Sequence, residues 1–247
     1  MPTSEESGGL RLVVVDDAAT AAALVAGIIR STVDAVPSCR LGVATGATPL
    51  PAYRLLVAEL AGTGAFDAVS VFLLDEYIGP APGDPTSYRS TIRSALTDPI
   101  GVPHDALYAP DTTGDLDIAC ARYDDELRDG VDLQVLGIGR NGHLGFNEPG
   151  TPFDSTTHVV ELSATTRADN ARWFPTPGDV PTHAITQGLA TIRRAGHLLL
   201  AATGPTKAAA AAAALEGPLD ESCPASALRL HPRATVVLDR TAAAALT

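Results

Sequence analysis

The chain has 247 residues, with 17 lysines and arginines against 29 aspartates and glutamates, for a formal net charge of -12. That balance argues against nucleic acid or an anionic membrane surface as a partner, since both call for basic patches. It leaves room for an anionic small molecule, which a few cations and backbone N–H groups can hold. The three cysteines, Cys39, Cys120 and Cys223, are isolated and form neither a disulfide framework nor a metal-binding pair. The six histidines are too dispersed for zinc spacing, so neither a metal nor an organic cofactor is expected. A polar, acidic start without a signal-peptide pattern, and no apolar run expected to match a membrane span, point to a reducing cytoplasm.

In chain order, strands are expected at Leu10–Val15, Leu41–Thr45, Val69–Leu74, Leu133–Ile138, His197–Ala202 and Thr235–Leu238. They are short, apolar and β-branched, with little polar alternation, as suits strands covered on both faces. Helical stretches fall between them at Ala18–Val33, Pro49–Ala61, Asp117–Arg128 and Lys207–Leu215. This alternation predicts a three-layer αβα sandwich with a mainly parallel, Rossmann-like central sheet. No linker divides the chain, so residues 1–247 read as a single domain. The segment from about 149 to 181 is less regular and too long for a simple connection, which suggests a lid.

The most informative stretch runs from Asp132 to Pro149: a buried strand that breaks into Gly137, Gly139 and Gly142, with Asn141, His143 and Glu148 on the turn. A structural turn needs none of those three side chains. The glycines also spell the dinucleotide-binding spacing, with Glu161 about twenty residues further on. That motif must open a full helix, and Pro149 would cut it short. Two other turns look built for an anion. In Thr45-Gly46-Ala47-Thr48, a strand ends and a helix starts at Pro49, with Thr48 as its expected cap. In Thr203-Gly204-Pro205-Thr206-Lys207, a lysine falls in a first helical turn, where it opposes the helix dipole unless an anion binds. Asp75 and Glu76 close a further apolar strand. Parallel strands bring these ends to one sheet edge, so Asp75, His143 and Lys207 would converge on one ligand. That set suits proton transfer beside the carbonyl of a sugar phosphate.

Five blocks in order, Ala44–Pro49, Leu74–Tyr77, Gly137–Pro149, Thr166–Arg172 and Leu228–Pro232, resemble the glucosamine-6-phosphate deaminase family. The most specific is Gly142-His-Leu-Gly-Phe-Asn-Glu-Pro149. The resemblance implies conversion of glucosamine 6-phosphate and water to fructose 6-phosphate and ammonia. It implies Asp75 as the enolising base, His143 as the assistant in ring opening, and Glu148 and Asn141 as the residues that orient and tune the imidazole. Thr45, Gly46, Ala47, Thr48, Arg172 and Lys207 would bind the phosphate, with Arg172 arriving from the lid-like segment. Many relatives have aspartate where Asn141 stands, which leaves Glu148 as the anion nearest His143. Regulated relatives carry basic residues after Pro149, where in this chain Gly150–Glu161 offers only His158 as a possible cation, so no activation by the acetylated sugar is expected.

Four rivals are weighed beside this one. A galactosamine-6-phosphate deaminase would differ by one epimeric hydroxyl, which no residue announces. A 6-phosphogluconolactonase has a similar glycine–histidine turn but continues with Ser-Leu-Phe-Pro and has no use for Glu148. A sugar-phosphate sensor would need a DNA-binding segment, and the nine residues before Leu10 are too few and too acidic. In a plain binding module, the polar turn residues would be structural. Oligomeric state is left open.

Overall fold

The computed structural model describes the backbone of residues 3–7 and all of residues 9–247. The strands in chain order are β1 Thr3–Ser7, β2 Leu10–Val15, β3 Arg40–Val43, β4 Ser70–Leu73, β5 Asp75–Ile78, β6 Leu107–Tyr108, β7 Leu133–Leu136, β8 His158–Glu161, β9 His183–Thr186, β10 Leu198–Ala202 and β11 Ala234–Asp239. Eight of them form one sheet in the order β1-β2-β11-β10-β7-β3-β4-β6. All its neighbours run parallel except β1, which adds an antiparallel edge against β2. The expected three-layer αβα architecture is therefore present.

Alternation along each strand divides the core between two faces. Leu133 and Val135 of β7 and Leu199 and Ala201 of β10 face one apolar cluster. That cluster includes α1 (Ala18–Ala35), α2 (Pro49–Leu60) and the helical run α3 (Tyr88–Ile92) to α4 (Asp98–Ile100). Leu136, Leu198 and Leu200 face the opposite cluster, with Tyr123 of α5 (Leu116–Glu126). Ala210, Ala211 and Ala214 of α8 (Ala208–Leu215) complete that face. The small alanine side chains let α8 lie close to the sheet, which is a scaffold role.

The path of the chain places the site. From β3 it moves outward to β4 and β6, then returns to β7 beside β3 and continues the other way through β10 to β11. The direction of winding thus reverses between β3 and β7, which pair in parallel at Leu41–Leu133. In a doubly wound sheet this switch opens a crevice at the carboxyl ends of the strands. The turn after β3 carries Thr45–Thr48, and the turn after β7 carries Asn141 and His143.

Several expectations need correction. The sheet begins at Thr3, not Leu10, because β1 is a polar edge strand with no apolar run to announce it. The apolar run of α1 is after all long and apolar enough to cross a membrane, at 18 residues and a mean hydropathy of 1.3. Its buried positions, including Val25, Ile29 and Val33, instead pack on the sheet core. The strand expected over Val69–Leu74, with Asp75 and Glu76 closing it, ends at Leu73, and Asp75 opens β5 in a second, antiparallel sheet of order β5-β9-β8. The segment from 149 to 181 is more regular than expected, holding β8 and the helix α6 (Ala164–Asn170). A short α7 (Leu189–Ile192) follows β9.

Candidate active site

A cavity of about 620 Å³ opens at the switch point. Thr45–Thr48, Asp75, Gly137–Arg140, His143, Arg172 and Lys207 all line it, so the distant blocks do converge. Asn141 and Glu148 do not line it and stand one layer back. Among the described residues, no group of three or more His, Cys, Asp or Glu side chains is arranged to hold a metal ion.

At one end lies the turn after β3. Gly46 has φ of +116°, and none of the N–H groups of Thr45, Gly46, Ala47 or Thr48 donates to a described residue. Four consecutive free donors at a helix start form an anion cradle. Tyr53, fully buried on α2, fixes the base of the turn by donating its hydroxyl to the Ala44 carbonyl at 3.0 Å. Thr48 does not cap α2: it is already helical, at φ -84° and ψ -48°, and its side chain makes no cap bond. Pro49 alone starts the helix as expected.

The turn after β10 behaves differently. The Gly204 N–H donates to the Asp239 carboxylate at 3.1 Å, and the Lys207 N–H donates to the Gly204 carbonyl. Lys207 closes a single 3-10 turn, Pro205–Lys207, ahead of α8. What this turn offers a ligand is side-chain chemistry: the Lys207 ammonium and the hydroxyls of Thr203 and Thr206, all on the cavity wall. The ammonium donates to the Ile138 carbonyl at 2.7 Å, which aims it across the switch point. Burial pulls its pKa below the usual lysine value, with Asp169 as an opposing anion.

Asp75 and Glu76 sit side by side in β5 and do opposite jobs, because successive strand residues face opposite ways. The Glu76 carboxylate accepts from the N–H groups of Tyr77, Tyr88 and Arg89 at 2.7–2.9 Å, anchoring the start of α3. Asp75 faces the cavity, 6% exposed, and burial followed by the charge of Glu76 raises its carboxyl well above the usual range. A carboxylate so placed is a strong base without a counter-ion. The Tyr77 and Tyr88 rings also line the cavity, and their hydroxyls meet at 3.0 Å. Burial pushes the Tyr77 phenol up to about 12, so it stays neutral.

After β7 there is no helix, which disposes of the dinucleotide reading. The glycines serve the imidazole instead. A Cβ on Gly139 would lie 2.2–2.4 Å from three His143 ring atoms, so only glycine lets the ring lie on the backbone. Burial holds the imidazole pKa below its usual value, against the pull of Glu148, so His143 is neutral near pH 7. Its Nδ1 is buried with no hydrogen-bond partner, 3.9 Å from Glu148 Oε2. Asn141 makes no hydrogen bond to the ring. Its amide donates to Glu148 Oε2 at 2.6 Å, and its Oδ1 accepts from the His143 N–H at 3.3 Å. Asn141 therefore orients the carboxylate and the turn. Burial works to raise the Glu148 pKa, but donors from Thr166, Asn141 and Ser163 and the nearby His143 together leave it lowered.

Beyond α6, Arg172 lies in a 3-10 turn, Ala171–Trp173, with its guanidinium over the Trp173 ring at 5.2 Å. Sequence reasoning overlooked what else this segment supplies. Asp169 pairs with Arg140 across the cavity mouth at 3.3 Å, and Asn170 donates to the Tyr77 hydroxyl at 2.9 Å. Arg140 and Asp169 flank residues already singled out, but spacing alone does not reveal a pair 29 residues apart.

The family model described as glucosamine-6-phosphate isomerases/6-phosphogluconolactonase matches residues 15–237. The chain is 47% identical over 245 residues to a glucosamine-6-phosphate deaminase of Streptomyces coelicolor, covering 96% of this chain and 93% of that one. It is 49% identical over 210 residues to that of Corynebacterium kroppenstedtii, covering 83% and 81%. A solved structure of a monomeric glucosamine-6-phosphate deaminase superposes with a TM-score of 0.91 at 39% identity, over 95% of this chain and 99% of that one. The 6-phosphogluconolactonase of Trypanosoma brucei superposes at 0.77 with 19% identity, covering 99% of this chain and 100% of that one, a likeness of fold alone.

Proposed function

This chain belongs to the family of glucosamine-6-phosphate isomerases and 6-phosphogluconolactonases, and we propose that it converts glucosamine 6-phosphate and water to fructose 6-phosphate and ammonia. The observation that carries this reading is Asp75: a buried, uncompensated carboxyl group on the wall of a cavity that also holds His143 and an anion cradle. The free N–H groups of Thr45–Thr48, with Lys207 and Arg172, bind the phosphate. His143, neutral and on the cavity wall, takes the anomeric proton and returns one to the ring oxygen as the ring opens. Asp75 then removes the C2 proton of the open-chain aldehyde and delivers it to C1, while O1 gains a proton and the amine nitrogen gives one up. The resulting C2 imine adds water and expels ammonia, leaving the ketone. Each positioned acid or base typically contributes a factor of roughly 10²–10⁴. The lid-like segment from Pro149 to Pro181 supplies Arg172 over the bound sugar. The free cysteines Cys39, Cys120 and Cys223 fit a reducing cytoplasm.

The test is ammonia release from glucosamine 6-phosphate, run beside the galactosamine epimer. Tight fructose 6-phosphate binding without ammonia would overturn the catalytic reading. Asp75→Asn is expected to abolish turnover while leaving the affinity for fructose 6-phosphate within about a few-fold. The same variant is expected to be more stable at neutral pH. The folded-state pKa of Asp75 is raised, so its contribution to stability is present at low pH and lost as pH rises through that value. A thermal melt of Asp75→Asn below that of the parent at pH 7 would contradict the buried-base assignment.

A further inference from the structure

We propose that Thr166 and Ser163, at the start of α6, are positioning residues for opening the sugar ring: they hold the second oxygen of the Glu148 carboxylate, which stands behind His143 as its anionic neighbour. The inference deepens the deaminase reading and rests on it.

Glu148 ends an irregular turn with no regular element to fix it. Asn141, on the same turn, holds Oε2. Oε1 is held entirely from α6: the Thr166 hydroxyl donates to it in a short bond, and the Ser163 hydroxyl lies 3.1 Å away. The helix does not need the Thr166 hydroxyl for its own start. Ser163 already caps α6 by accepting the Thr166 N–H at 3.1 Å. Thr166 stands at the position where a capping box would place a side chain reaching back to the cap N–H. Its hydroxyl goes to Glu148 instead, and the residue is 4% exposed. A buried carboxylate keeps its charge through such donors. The charged groups facing this pair are His143, at 3.9 Å from Glu148, and Asp169 and Lys207, which act on the imidazole.

The same helix bears on the other end of the ligand. Asn170, its last residue, is tied to Tyr77, and the chain then turns to Arg172 on the cavity wall. One helix and the turn after it thus brace Glu148 at one end and present a phosphate-binding cation at the other. Phosphate engagement and ring-opening competence become linked through the placement of α6.

The experiment compares Thr166→Val, which keeps shape but loses the hydroxyl, with Thr166→Ser, which keeps the hydroxyl. Ammonia release reports turnover of the closed-ring substrate, and inhibition by the reduced open-chain amino-hexitol 6-phosphate reports the intact pocket. Thr166→Val is expected to lose about tenfold in kcat/KM, part of the factor a positioned acid–base group supplies. Its inhibition constant for the open-chain analogue should stay within about twofold, and Thr166→Ser should recover most of the rate. Normal turnover by Thr166→Val, equal loss of open-chain binding, or failure of Thr166→Ser to recover would each overturn the inference. Absence of ammonia release by the unaltered protein would instead overturn the deaminase reading beneath it.

Discussion

The turns after β3 and β10 look alike in sequence, each a strand followed by threonine, glycine and a proline that starts a helix, yet they present different chemistry to the cavity. After β3 the backbone is what is offered, because four consecutive N–H groups have no partner among the described residues. After β10 the backbone is consumed internally, by Asp239 and by the turn itself, and side chains are what is offered. What separates the two is a carboxylate at the end of β11, a neighbour that no local pattern reports. Free backbone donors give a fixed cradle for the oxygens of a phosphate, whereas a lysine gives charge that burial makes expensive and therefore effective.

The comparison can be broken most severely at Lys207. Lys207→Met removes the only cation of the second turn, and a lost charge-assisted hydrogen bond of about 1.5–3 kcal/mol corresponds to a rise in KM of roughly 10- to 100-fold. Steady-state kinetics across glucosamine 6-phosphate concentrations would show it, and an unchanged KM would leave the first turn and Arg172 as the phosphate site. A smaller, paired effect is expected at the glycines. Gly46 and Gly204 have φ of +116° and +91°, with nothing within 4 Å of an added Cβ, so alanine is opposed by backbone strain and not by a clash. Both alanine variants should lose about 1–3 kcal/mol of stability in denaturant titrations. Gly46→Ala should also raise KM about tenfold by disturbing the cradle, with a smaller rise for Gly204→Ala. Equal KM effects would erase the distinction between the turns.

The mildest change sharpens the contrast. A true N-cap threonine loses about 1 kcal/mol on replacement. Thr48 makes no cap bond, so Thr48→Val should leave the melting temperature unaltered and raise KM only by a few-fold, as for one neutral hydrogen bond. A clear drop in melting temperature would restore the cap that the sequence suggested.

Much of the fold was legible because its strands are buried on both faces and its main helices are long enough for periodicity to show. Leu10–Val15 matches β2 residue for residue, and Pro49 begins α2 as proline at a first helical position should. The elements that escaped were short or polar: β1, the two-residue β6, and the β5-β9-β8 sheet, whose strands have four residues each. Strands that brief carry too few alternations to register above loop sequence.

At the site the division is similar. Sequence alone determined which chemical groups are available, since Asp75, His143, Glu148 and Lys207 are titratable residues on glycine- and proline-broken strand ends. It also determined the glycines, which only backbone geometry requires. The tertiary structure decided which of those groups face the ligand and which face each other. Asp75 and Glu76 are indistinguishable in the chain, but the pleat sends one to the cavity and the other to its neighbour Tyr77 N–H and two N–H groups of α3. Asn141 serves the carboxylate and not the imidazole, and Thr166 braces a glutamate 18 residues earlier. Ionisation and hydrogen bonding depend on distance and burial in space, quantities that one-dimensional order does not carry.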